Sequence, residues 1–291
     1  MLKAHSEIHT SELKEINFFN IDHIKIIRER IGKHYTKLIS SEREYEFLFT
    51  DPKVRFNGDF NPTYIYSQDA PQRIYDYNKN AKIIIAIREP VSYLRSTHFQ
   101  NLYNLAEDKE DLISALGLEE KRKAGEEIPE LCKLPFFLYY SELICYQKYI
   151  GNYVKLFPSN QIKIVLFDDI IDNKFAVYKD LLQFIGVGDV EFIPPEPDRN
   201  PSHALRFQFL RRLMLRPGIK KTLMTLIPKK ILPVGVKISH KLFKKEVQKP
   251  PLSQAAVEGL KSRFQPEVLL LDQYLSTKGL ITVDLSKLWG Y

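Results

Sequence analysis

The chain is poor in cysteine, with two residues, Cys132 and Cys145, among 291. That is too few for a disulfide framework or a cysteine metal site, and it suits a reducing compartment. No run of eighteen apolar residues occurs and no secretory apolar stretch follows Met1. As written, the chain is therefore expected neither to span a membrane nor to be exported, and a cytoplasmic location follows. Internal repeats and low-complexity tracts are absent too. The sequence lacks any G-x-x-x-x-G-K-S/T, which leaves a nucleotide kinase with little support.

What is present is 44% apolar residues, enough for one sizeable core, as a single large α/β domain or a domain with an appendage. The net charge of +7 is unevenly placed: Arg216 to Lys249 carries ten cations against the single Glu246, so the remaining chain is slightly acidic. One cationic surface is implied, rather than a protein that coats nucleic acid. Ile219, Leu223, Leu226, Ile231, Val234, Ile238 and Leu242 interleave with these lysines. Such a composition suits docking on an anionic membrane or an acidic glycan. It equally suits helices packed on a core with solvated lysines, and Pro217, Pro228 and Pro233 favour short helices.

Along the chain, residues 22–40 read as a helix with Ile24, Ile27, Ile31 and Tyr35 on one stripe, and Val54 to Phe60 as a short strand. Ala70 to Tyr77 reads as a helix begun at Pro71, and Phe136 to Phe157 as one long aromatic helix. Between them, Glu107 to Glu130 is too polar for core and is expected as a mobile flap on the substrate side. Ile162 to Phe167 reads as a buried strand, Phe175 to Ile185 as a helix stopped at Gly186, and Ser253 to Ser276 as an amphipathic helix capped by Ser253. Trp289 is expected to pin the tail to the core. Strands alternating with helices imply an α/β fold, a parallel sheet flanked by helices. We read 1–291 as one domain, with a nucleotide-binding core over 1–193 and a C-terminal helical part over 194–291 that contains the basic segment 216–249.

The run from Ala81 to Ser96 is the most informative stretch. Lys82 to Ile87 has the β-branched pattern of a strand covered on both faces, and Pro90 fits the first turn of a helix. Ser92 and Ser96 lie four apart and share a face of that helix. Arg88 stands at the carboxyl end of the strand, where open α/β sheets bind ligands. A guanidinium fork, a hydroxyl and free helix N–H groups can converge there on one anion, though a surface salt bridge and a solvated serine are an equal alternative.

The order of motifs adds to this. Lys14-Glu15-Ile16-Asn17-Phe18-Phe19, Gly58-Asp59-Phe60-Asn61-Pro62-Thr63-Tyr64, Arg88-Glu89-Pro90 with Ser96, Tyr140, and Asp284 to Trp289 resemble, in that order, the sulfotransferase family that uses 3′-phosphoadenylyl sulfate. The similarity is nearest to the bacterial and Golgi carbohydrate-type branch. It implies a three-layer fold like that of P-loop kinases, no metal, and a glycan or glycolipid acceptor sulfated on a hydroxyl or amine. It gives Arg88 and Ser96 the 3′-phosphate of the nucleotide and makes Glu15 the base that deprotonates the acceptor. Burial beside Phe18 and Phe19 would tune that carboxylate. Lys14 would neutralise charge on the transferring group. Asp59 and Tyr140 would orient substrate, while turn-making and core roles are the ordinary readings of those two residues. Asn200 to His203 is a candidate lid over the nucleotide, with His203 an alternative base.

One family element has no counterpart. The 5′-phosphosulfate loop, a P-K-S/A-G-T-T turn upstream of K-E-x-x-F-F, is unmatched, and no Gly-Thr or Thr-Thr pair occurs anywhere. Met1 is expected to fall after that loop, making the fold N-terminally truncated. A degenerate, non-catalytic relative and a fragment completed by another chain are the alternatives.

Overall fold

β-branched and aromatic runs set the strands of this protein, described here from a computed structural model. The structure describes residues 2–32, 39, 41–50, 54–188, 191, 203–205, 244–246 and 251–291. The expected junction at 193/194 and nearly all of the basic segment 216–249 lie outside the described residues. Two compact units emerge: Met1–Val91, Leu143–Asp198 and Gly259–Tyr291 form the first, and Ser92–Glu142 with Arg199–Glu258 the second.

In the first unit, β1 (Ile8–Thr10) pairs in parallel with β2 (Phe56–Gly58), Ile8 opposite Phe56 and Thr10 opposite Gly58. A second parallel pair joins β3 (Ile83–Ile87) to β4 (Ile162–Leu166), Ile83 opposite Ile162 and Ile87 opposite Leu166. Parallel pairing needs crossovers, and helices supply them. Between β1 and β2 run α1 (Ile21–Ile31) and α2 (Glu42–Glu46), α3 (Ala70–Tyr77) links the two pairs, and α4 (Pro90–Tyr103) leaves β3. The expected helix over 22–40 is shorter because Gly32, at φ +86°, ends α1 with its N–H on the Arg28 carbonyl. α2 starts in a capping box between Ser41 and Glu44.

β3 departs from its expected burial. Ile85 and Ile87 are buried, whereas Ile84 and Ala86 are exposed, so among the described residues one face of the strand is covered. The covered face meets α8 (Tyr146–Val154) through Tyr146, Ile150 and Tyr153, together with Val268, Leu271 and Leu275 of α11 (Gln254–Thr277). Trp289, in α12 (Leu285–Trp289), joins the same cluster and anchors the tail as expected. α9 (Phe167–Asp172) and α10 (Lys174–Ile185) follow β4, and Gly186 closes α10 in the left-handed region.

In the second unit, the polar stretch from Glu107 is packed structure rather than a flap. Asp111 caps α5 (Leu112–Gly117) by accepting from the Ser114 N–H at 2.8 Å, and α6 (Glu119–Lys123) follows. Arg122 and Glu107 are both buried and pair through two hydrogen bonds of 2.7 and 2.6 Å. A charged sequence can be interior when its charges cancel at bidentate geometry, which composition alone does not reveal. The long aromatic helix is likewise broken. A 3-10 turn spans Pro135–Leu138, α7 covers Tyr140–Leu143, and the ψ values of +72° at Tyr139 and +54° at Cys145 interrupt the helical path on either side of α7. β5 (His203–Leu205) and β6 (Lys244–Glu246) pair antiparallel.

Candidate functional site

The segment Lys14 to Phe19 is bent by its backbone. Glu15 at φ +52° and Asn17 at φ +58° sit in the left-handed region, which non-glycine residues enter at a cost of roughly 1–3 kcal/mol each. The effect is to bury Ile16, Phe18 and Phe19 while Lys14 and Glu15 stay exposed. Glu15 is therefore not buried beside the phenylalanines, correcting that expectation.

Side-chain amides hold the bend. Asn17 Nδ2 donates to the Glu15 carbonyl at 2.6 Å, and Asn17 Oδ1 accepts from Asn61 Nδ2 at 2.8 Å and Asn20 Nδ2 at 3.0 Å. Asn20 also donates to the Thr63 hydroxyl at 2.8 Å, and Asn61 Oδ1 accepts from the Thr63 N–H at 2.9 Å, an Asx turn before Tyr64. The Lys14–Phe19 and Gly58–Tyr64 motifs are thus interlocked. Asn61-Pro62-Thr63 is a legible turn signal, but the sequence reading gave the Asn17, Asn20, Asn61 and Thr63 side chains no role.

Asp59 lies inside this joint. Its Oδ2 accepts from the Tyr64 hydroxyl at 2.7 Å and the Tyr45 hydroxyl at 3.2 Å, and the Phe18 N–H donates to the Tyr64 hydroxyl oxygen at 3.2 Å. Phe18 stacks on Tyr45 with ring centroids 4.4 Å apart, and Phe19 meets Tyr64 edge to face. Burial pushes the Asp59 carboxyl above the usual carboxylate range, although both phenol hydrogen bonds work against that. Asp59 Oδ1 is buried with no hydrogen-bond partner among the described residues.

Arg88 follows β3, as the sequence implies. Its guanidinium carbon lies 4.4 Å from the centroid of the Phe167 ring, and its carbonyl accepts from the Tyr146 hydroxyl at 3.1 Å. The helix start differs from expectation: the Val91 N–H is not free but bonds Glu89 Oε1 at 2.9 Å, and the Tyr291 hydroxyl donates to the same oxygen. Helix α8 ties this end of the sheet to the interlocked motifs, because Tyr153, seven residues after Tyr146, donates to the Tyr64 carbonyl at 2.9 Å. Two helical turns, about 10 Å along the helix axis, separate those tyrosines.

Known proteins share this fold. A crystal structure of a sulfotransferase from Alicyclobacillus acidocaldarius superposes with a TM-score of 0.67 at 18% identity, covering 100% of this chain and 91% of that one. Heparan sulfate glucosamine 3-O-sulfotransferase 5 of Mus musculus is 27% identical over 171 residues, 59% of this chain and 44% of the mouse protein. Its Homo sapiens counterpart is 26% identical over the same length. The chain has the fold of a sulfotransferase and is similar in sequence to sulfotransferases over part of its length. It spans less than half the length of those curated relatives. No family model matches it.

Within the sulfotransferase fold, the predicted site residues divide between the two units. Lys14, Glu15, Asp59 and Arg88 belong to the first and Ser96 and Tyr140 to the second. Ser96 lies on α4, half-buried. Tyr140 is fully buried, its hydroxyl donating to Glu107 Oε2 at 2.9 Å, so it serves the Glu107–Arg122 pair and does not line a cleft. Of the candidate lid, residues 200–202 lie outside the described residues and His203 opens β5. Among the described residues no helix is long and apolar enough to cross a membrane.

Proposed function

We propose that the protein transfers a sulfuryl group from 3′-phosphoadenylyl sulfate to a hydroxyl or amine of a carbohydrate acceptor, a heparan-type glycan or lipid-linked glycan being the chemistry tested first. The reading is supported most by the interlock of the Lys14–Phe19 and Gly58–Tyr64 motifs within a sulfotransferase fold. The Glu15 carboxylate takes the proton of the acceptor group as that atom attacks sulfur. The bond between sulfur and the 5′-phosphate oxygen breaks, and 3′-phosphoadenosine 5′-phosphate leaves. Lys14, exposed beside Glu15, offsets negative charge on the transferring group. Arg88 takes the 3′-phosphate, with Ser96 assigned to the same phosphate by its motif. Asp59 orients the acceptor side through the turn it anchors. The lysine-rich segment 216–249 is proposed to meet an anionic glycan or membrane surface.

Transfer of radiolabelled sulfuryl from the nucleotide to de-O-sulfated heparan sulfate tests this. Glu15→Gln should lower transfer by roughly a hundredfold or more, the usual contribution of a general base, while the nucleotide still binds. Full activity of that variant would remove Glu15 from the mechanism.

A further inference from the structure

We infer that Asn17 and Asn61 form an amide bridge that positions Glu15 for proton abstraction, so that both are positioning residues of the transfer step. The inference rests on the reading of Glu15 as the base. Glu15 is exposed and at φ +52°, so its own packing does little to fix where its carboxylate stands. An exposed side chain on a strained backbone holds one geometry only if neighbours over-determine it.

The neighbours here are specific. Asn17 Nδ2 grips the Glu15 carbonyl at 2.6 Å, which closes a small loop across two left-handed residues. Asn17 cannot turn away, because its Oδ1 receives Asn61 and Asn20 at 2.8 and 3.0 Å. Asn61 in turn is fixed by the Thr63 N–H and hydroxyl, at 2.9 and 2.7 Å, in the turn that ends at Tyr64. Each amide has one orientation that satisfies these partners, since the Glu15 carbonyl only accepts and the Thr63 N–H only donates. The chain of bonds runs from the backbone of Glu15 to the turn carrying Asp59. Displacement of a reacting group by about 1 Å costs on the order of a hundredfold in rate, so this bridge bears on kcat rather than on nucleotide binding.

Asn17→Asp separates the bridge from folding. Aspartate tolerates the left-handed region and still accepts from Asn20 and Asn61, but it has no N–H for the Glu15 carbonyl. Asn61→Ala cuts the bridge at its other end. Two readouts on the full chain decide the matter: amide hydrogen exchange over residues 11–20, and turnover of 3′-phosphoadenylyl sulfate with de-O-sulfated heparan sulfate. In both variants exchange over this segment should quicken roughly tenfold or more while exchange in β3 and β4 stays as in the wild type. The kcat should fall roughly tenfold or more with KM for the nucleotide within about twofold. Unchanged exchange in both variants overturns the inference whatever the turnover, and so does quickened exchange with unchanged kcat. Full turnover by Glu15→Gln would instead overturn the reading of Glu15 as base, a failure distinguishable because the exchange of the two asparagine variants would still rise.

Discussion

Arg122 grips Glu107 through both guanidinium amines at 2.7 and 2.6 Å, and neither side chain is exposed to solvent. The Tyr140 hydroxyl completes the carboxylate at 2.9 Å, and the Asp108 and Lys109 N–H groups donate to Glu107 Oε1 at 2.8 and 3.0 Å.

Removing one partner of such a pair strands the other charge. Arg122→Met should therefore cost about 3–5 kcal/mol in urea unfolding, and Arg122→Met with Glu107→Gln should cost less than the two single changes together. Burial pushes the Glu107 carboxyl up, but Arg122 and the N–H donors outweigh it and hold the group below its ordinary 4.5. A depressed folded pKa contributes stability above the unfolded value that is lost as pH falls through the folded one. Acid sensitivity below about pH 4.5 should accordingly lessen in Glu107→Gln; an acid limb unchanged by that substitution would contradict it.

Asp59 has the opposite sign. Its folded pKa lies above the ordinary 3.8, so its contribution is complete below that value and is lost as pH rises through the folded pKa. Asp59→Asn keeps an oxygen for Tyr64 and Tyr45 but removes the titration. The melting temperature of the variant relative to wild type should climb as pH rises above the ordinary 3.8, and a difference independent of pH would contradict the burial assigned to this carboxylate.

Local signals made the strand-to-helix passage at Pro90 legible, because a β-branched run and a proline at the first helical position each act within a few residues. The same holds for Gly186 closing α10 and for the Trp289 anchor. Long-range pairing was not legible. Glu107 finds Arg122 fifteen residues on and Tyr140 thirty-three residues on, and nothing in a polar stretch announces that its charges cancel in the interior. The same limit hid the role of Asn17, whose partner Asn61 is forty-four residues away. Motif order brought Glu15 and Asp59 to one place; the amides that join their segments came only with the structure. Glu89 received no role from the sequence, whereas its Oε1 accepts from the Val91 N–H and the Tyr291 hydroxyl, the latter 202 residues on.

Arg88 carries the central claim, that this sheet end receives the 3′-phosphate of a sulfuryl-donor nucleotide. The most direct measurement is the melting temperature of the full chain with millimolar 3′-phosphoadenosine 5′-phosphate. A ligand at a hundredfold excess over its Kd stabilises by about 2.7 kcal/mol, enough for a rise of several degrees. Wild type should show that rise, and Arg88→Ala, folded and melting close to wild type without nucleotide, should not. No shift in the wild type, or an undiminished shift in Arg88→Ala, would contradict the claim.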